Sequence, residues 1–223
     1  MKIRIPFLLV LMANLAQADT LKKNERIVFL GDSITQGGAR PGGYVDLFKK
    51  KLAAEHAGLG ATIIGAGISG NKVPDLQRRL ERDVLSKDPT LVFIYIGIND
   101  VWHWNRNKGT KKEVFEAGLK DIIGKIQAKK ARVILCTPTV IGEKTDGSNK
   151  FDPMLEEYSA ISRKVVKDTG SQLLDLRKAF FEHLGKSNPD NKDRGILTRD
   201  TVHMNAAGND FLARLFLRAV GIK

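Results

Sequence analysis

Cysteine is nearly absent. Cys136 is the only one among 223 residues, so no internal disulfide can form and the fold must rest on its core. That thiol lies in the apolar run "RVILCTP", which reads as a buried structural position and not as a nucleophile. There is no G-x-S-x-G elbow: the serine of "GDSIT" has Thr35 where the elbow needs glycine. No internal repeat or low-complexity tract is found. Past the N-terminal segment no run is apolar enough to cross a bilayer. Nothing resembles a nucleic-acid module. With only four histidines, the choice of a general base is narrow.

What remains is an ordinary globular composition, 42% hydrophobic and 28% charged, at a length that suits one domain. The first eighteen residues differ. "MKIRIPFLLVLMANLAQA" has a basic start at Lys2 and Arg4, an apolar run from Ile5 to Leu15, and a small-x-small ending. That is the grammar of an export signal peptide, with an uncleaved anchor as the alternative. The expected organisation is therefore a signal over residues 1–18 and a single domain over 19–223. The expected location is secreted or periplasmic, without stable membrane insertion after cleavage. The formal net charge is +12, and losing Lys2 and Arg4 with a segment that holds no acid leaves +10. The cations are scattered along helix-like stretches such as "FKKKL", which reads as solvated helix faces; attraction to an acidic polymer is the sharper alternative.

Short β-branched runs alternate with longer amphipathic ones. Strands are predicted at Arg26–Gly31, Thr62–Gly65, Thr90–Gly97, Arg132–Pro138 and Ser171–Leu176. Helices are predicted with Tyr44, Leu47, Phe48 and Leu52 on one face, from about Pro74 with Leu76, Leu80 and Leu85 as its apolar residues, over Lys111–Lys130, over Phe151–Thr169 and from about Asn205. Val114, Leu119, Ile122, Ile123 and Ile126 are expected to face inward on the third of these. Alternation of this kind implies an α/β fold, a parallel sheet covered by helices on both faces. In such sheets ligands sit beyond the carboxyl ends of the strands. Chemistry is therefore expected in "GDSITQGG", "GAGISGN", "GINDVWHW", "TPTVIGE" and "DTVHMN".

Gly65, Gly67 and Gly70 spell G-x-G-x-x-G, the dinucleotide fingerprint, but out of context. Pro74 places the helix start past the glycines, and no acid ends the next strand at the required distance. Serine catalysis fits better. It needs an exposed hydroxyl, a base, and donors for the oxyanion. Ser33 follows the first strand directly; a helix cap is the alternative reading of its turn. His56 reads as a surface residue and His183 as structural. His203 lies three residues after Asp200, so one turn can join acid and imidazole, while His103 is a rival on position alone.

These blocks, in order from "FLGDSITQG" to "DTVHMN", resemble the SGNH hydrolases, the GDSL lipase/esterase family. The resemblance implies a flavodoxin-like three-layer α/β/α sandwich with a five-stranded parallel sheet. It places the nucleophile at Ser33, the acid and base at Asp200 and His203, and the oxyanion donors at Ser33, Gly70 and Asn99. Gly65 departs from the asparagine often found there. No metal or organic cofactor is implied. The expected activity is hydrolysis of carboxylic esters through an acyl-enzyme, with a small acyl group on a carbohydrate as the leading substrate. The alternatives are a lysophospholipase, a thioesterase, or a glycan-binding module without catalysis. Trp102 and Trp104, beside Asn99, are candidate substrate-binding residues, with packing of their loop over the core as the alternative. Nucleic acid is not an expected partner, and the sequence does not set an oligomeric state.

Overall fold

The computed structural model describes residues 20–222; the expected signal segment and cleavage point lie outside them. Five strands form one parallel sheet: β1 (Arg26–Gly31), β2 (Thr62–Gly67), β3 (Leu91–Tyr95), β4 (Arg132–Cys136) and β5 (Gln172–Leu174). Their order is β2-β1-β3-β4-β5, the flavodoxin-like winding. Every residue of β3 is buried, as its unbroken apolarity predicts for a central parallel strand.

Helices cover both faces. The helices are α1 (Ser33–Gly38), α2 (Tyr44–Glu55), α3 (Val73–Asp83), α4 (Ile98–Trp102), α5 (Lys112–Ala128), α6 (Asp152–Thr169), α7 (Leu176–Ser187) and α8 (Ala206–Ala219). On one face α2 packs against α8, and Phe29 and Phe93 of the sheet meet Phe48 and Phe216 at ring-centroid distances of 4.9 to 6.2 Å. On the other face α5 packs against α3 and α6, with Phe115 and Tyr158 in ring contact. This is the three-layer sandwich that the alternating pattern predicts. Cys136 is fully buried in β4, in the structural role read for it.

Two expectations about helix faces fail. Val114 is 46% exposed; Phe115, one position on, turns into the core instead. Leu85 is buried but lies beyond α3, in a 3-10 turn over Leu85–Lys87. The segment after β3 winds into α4 and then a 3-10 turn over His103–Arg106.

Register sets the functional edge. Gly31 at the end of β1 lies beside Gly67 of β2 and Tyr95 of β3. The segments that follow these three strands therefore emerge together, at the point where the winding reverses between β1 and β3.

Candidate active site

Asp32 is the N-cap of α1, its side chain accepting the Ile34 N–H at 2.9 Å. The capping reading of the Gly-Asp-Ser turn thus holds for Asp32. Ser33, the first residue of the helix, turns its hydroxyl outward to His203, with Oγ 2.8 Å from Nε2. His203 Nδ1 lies 2.9 Å from Asp200 Oδ2. The other Asp200 oxygen accepts the backbone N–H groups of Val202 and His203, at 3.2 and 2.7 Å. Burial pushes the Asp200 carboxyl up, but the His203 N–H and ring outweigh it and hold the group below its ordinary range. An ionised carboxylate only accepts, so the imidazole proton sits on Nδ1 and Nε2 is free to accept from Ser33.

The structure therefore joins Ser33, His203 and Asp200 in one hydrogen-bonded chain. His103 has no part in it. It lies in the turn after α4, lining a small cavity of about 190 Å3 with Trp102, Asn105 and Arg106. His183 packs on the ring of Phe211, and the His56 N–H closes the end of α2.

Gly70 sits in the turn after β2, closed by the Asn71 N–H bonding to Ile68 O. Its φ is +76°, a conformation that glycine adopts freely and other residues rarely. A Cβ there would meet nothing within 4 Å, so backbone conformation, not lack of room, calls for glycine. At Gly65 the reverse holds: a Cβ would come within 2.7 Å of Ala39 Cβ. The asparagine often found in relatives would clash here. The dinucleotide reading also fails on geometry, since α3 begins at Val73, past the whole glycine run.

Asn99 lies in the first turn of α4, buried, donating to Asn71 O at 3.1 Å and toward Asp32 Oδ2 at 3.4 Å. It is thereby tied both to the turn that carries Gly70 and to the cap of α1. Asp32 is fully enclosed, and burial raises its carboxyl to about 7 against the pull of the Ile34 N–H. Neighbouring Asp100 is raised by burial to about 6 and accepts the Val73 N–H at 3.1 Å.

A cleft of about 540 Å3 opens beside Ser33 and His203. Ile34, Gly37, Gly38, Arg40, Pro41, Gly42 and Gly43 line it from the chain that follows Ser33, and Arg199, Met204, Asn205, Ala206 and Asn209 from the C-terminal part of the chain. Neither tryptophan lines it. Trp104 packs against Gly109 and sends its indole N–H toward Tyr158 Oη at 3.4 Å, and Trp102 borders the small cavity around His103. Among the described residues, no group of three or more His, Cys, Asp and Glu side chains is placed to hold a metal ion.

The model of the GDSL-like lipase/acylhydrolase family matches residues 29–211. The chain belongs to this family, the SGNH hydrolases, and is a carboxylic ester hydrolase. It is 34% identical to an acetylxylan esterase of Geobacillus stearothermophilus, over 89% of this chain and 95% of that one. It is 26% identical to an isoamyl acetate-hydrolyzing esterase 1 homolog of Rattus norvegicus, over 84% and 78%. Among solved structures, the acetyl xylan esterase AlAXEase superposes with a TM-score of 0.84 at 47% identity, over 87% of this chain and 99% of that one. Two structures of the Geobacillus enzyme, each with a TM-score of 0.81, are of catalytic mutants, one with a serine and one with a histidine replaced by alanine.

Two residues of the SGNH chain escaped the sequence reading. Arg79 looks like one of several helix-surface cations, yet only 7% of its side chain is exposed. Glu143 looks like the start of a polar loop, yet it is completely buried. Its place at the end of "TPTVIGE", the segment that follows a predicted strand at the functional edge, is the one signal that pointed to it.

Proposed function

We propose that this SGNH hydrolase removes acetyl groups from an acetylated carbohydrate, with Ser33 as nucleophile, His203 as general base and acid, and Asp200 as the group that orients the imidazole. The observation that carries the reading is the Ser33–His203–Asp200 chain at the edge of a cleft, in a relative of two acetylxylan esterases. His203 Nε2 takes the hydroxyl proton as Ser33 Oγ attacks the acetyl carbonyl. The Ser33 and Gly70 N–H groups and the Asn99 amide hold the developing oxyanion. The C–O bond to the sugar then breaks, and the imidazolium returns its proton to the leaving alkoxide. Water, deprotonated by the same imidazole, attacks the acetyl-enzyme, and acetate leaves as Ser33 regains its proton.

The cleft favours a sugar over a fatty chain. It is open, and glycine backbone, asparagines and arginines share its lining with Ile34, Pro41, Met204 and Ala206. Such a surface offers hydrogen bonds to hydroxyls beside a few apolar contacts. The signal-like N-terminal segment supports export, and with it an extracellular or periplasmic glycan as substrate. Among the described residues no helix is long and apolar enough to cross a membrane.

The test is acetate release from acetylated xylo-oligosaccharides by the wild type and by Ser33→Ala. The wild type should turn over, and the variant should lose at least about a thousandfold in kcat. Unchanged turnover in Ser33→Ala would remove Ser33 as nucleophile. Release of fatty acid from lysophospholipid, without release of acetate from the glycan, would overturn the substrate.

A further inference from the structure

We infer that Glu143 is a positioning residue for the Asp200–His203 pair, bracing the loop that carries it. The inference rests on the proposed roles of that pair and assigns a function to a buried acid outside it.

The loop is a small hairpin. The Asn205 N–H bonds to Leu197 O at 3.0 Å and the Arg199 N–H to His203 O at 2.9 Å, which leaves Asp200 at the tip. Nothing in a seven-residue excursion of this kind fixes its angle to the sheet. Glu143 does so from outside. One side-chain oxygen accepts the Ile196 N–H at 2.7 Å, and the other accepts those of Leu197, at 2.7 Å, and Thr198. Three consecutive backbone donors thus close on one side chain that is itself wholly buried.

The backbone beside Glu143 adds further ties. The Gly142 N–H reaches Thr201 O at 2.9 Å, and the Glu143 N–H reaches Asp193 O at 2.9 Å. Thr201 lies between Asp200 and Val202 with φ +78°, a conformation that strains a β-branched residue. Such a residue keeps its conformation only where its surroundings over-determine it. The Gly142 bond holds its carbonyl, and the Glu143 bonds hold the strand that leads into it. The β4 end therefore supplies a rigid frame against which Asp200 and His203 are set, and through them the distance from Nε2 to Ser33.

Glu143→Gln tests this. It keeps the shape but turns an N–H onto the backbone donors, so the loop must shift. A displacement near 1 Å at the base costs about a hundredfold. The full chain and the variant are compared for kcat and KM on p-nitrophenyl acetate, and for the rate at which a fluorophosphonate labels Ser33. The expected result is a 10- to 100-fold loss in kcat per folded molecule, a matching fall in labelling rate, and KM within about twofold. A variant with lowered melting temperature but wild-type kcat and labelling rate would overturn the inference, since Glu143 would then only hold the fold. If Glu143→Gln does not fold, Glu143→Asp carries the same test. One methylene shorter, it draws the three donors inward, and wild-type kcat there overturns the inference equally. His203→Ala, run alongside, separates the readings. Turnover lost there but kept in Glu143→Gln rejects only the brace, whereas turnover kept in His203→Ala rejects the base itself.

Discussion

At the scale of single residues, the most consequential placement is a carboxyl group next to the nucleophile. Asp32 is fully enclosed, and its carboxyl is raised by burial to about 7, from an ordinary value of 3.8. Between about pH 4 and 7 the folded chain holds a proton there that the unfolded chain has released. Unfolding then releases a proton, and stability falls as pH rises through that window. Above pH 7 the full penalty is present, about 4 kcal/mol for a shift of this size. Asp32→Asn keeps a side-chain oxygen to cap α1 but has no charge to bury. Its melting temperature should therefore gain on the wild type steadily from pH 4.5 to 7.5; parallel curves would reject the assignment. Turnover should fall in the same variant, because an NH2 replaces the carboxyl oxygen toward which the Asn99 amide points.

Arg79 shows how elements are locked together at the functional edge. From α3 its guanidinium donates to Gly31 O at 2.7 Å, Ala66 O at 2.9 Å and Asn71 Oδ1 at 2.7 Å, and pairs with Asp83 at 2.9 Å. One planar fork thus spans the ends of β1 and β2 and the turn that carries Gly70. Lysine cannot reproduce that fork. Arg79→Lys should lose about 2–4 kcal/mol in urea unfolding, since buried acceptors are left without donors, and should lower kcat more than it raises KM. Loss of stability with unchanged kinetics would show that the Gly70 turn holds itself. The helix pattern could not reveal this residue. In "LQRRLERD" hydrophobic spacing marks Leu76 and Leu80 as buried, but Arg78, Arg79 and Arg82 look alike; only the tertiary fold supplies acceptors to one of them. The central strands β1, β3 and β4, by contrast, were legible because a buried parallel strand must be apolar on both faces. The short α4 was not, since a five-residue helix is too brief to show a period.

For the whole molecule, the same winding that was legible in the strand–helix alternation brings Ser33, Gly70 and Asn99 to one edge, and the last loop returns His203 to it from 170 residues away in sequence. Order along the chain could be read; the room around the site could not. The tryptophans beside Asn99 looked suited to a sugar, yet the space beside Ser33 opens on the other side, toward Arg40 and Arg199. That space decides the last prediction. A lipase rewards each added methylene of the acyl chain with burial, about 0.8 kcal/mol or fourfold per group. Here Ile68 and Val114 are the large apolar side chains exposed among the described residues, and only Ile68 lies near the site, in the Gly70 turn. The cleft itself adds Ile34, Pro41, Met204 and Ala206, set among glycine, asparagine and arginine, which suit a methyl group better than a long chain. Across p-nitrophenyl acetate, butyrate and octanoate, kcat/KM should be greatest for acetate and fall at least tenfold by octanoate. A rise of that size toward octanoate would show that these four side chains act as an apolar wall, and would point to a lipid ester as substrate.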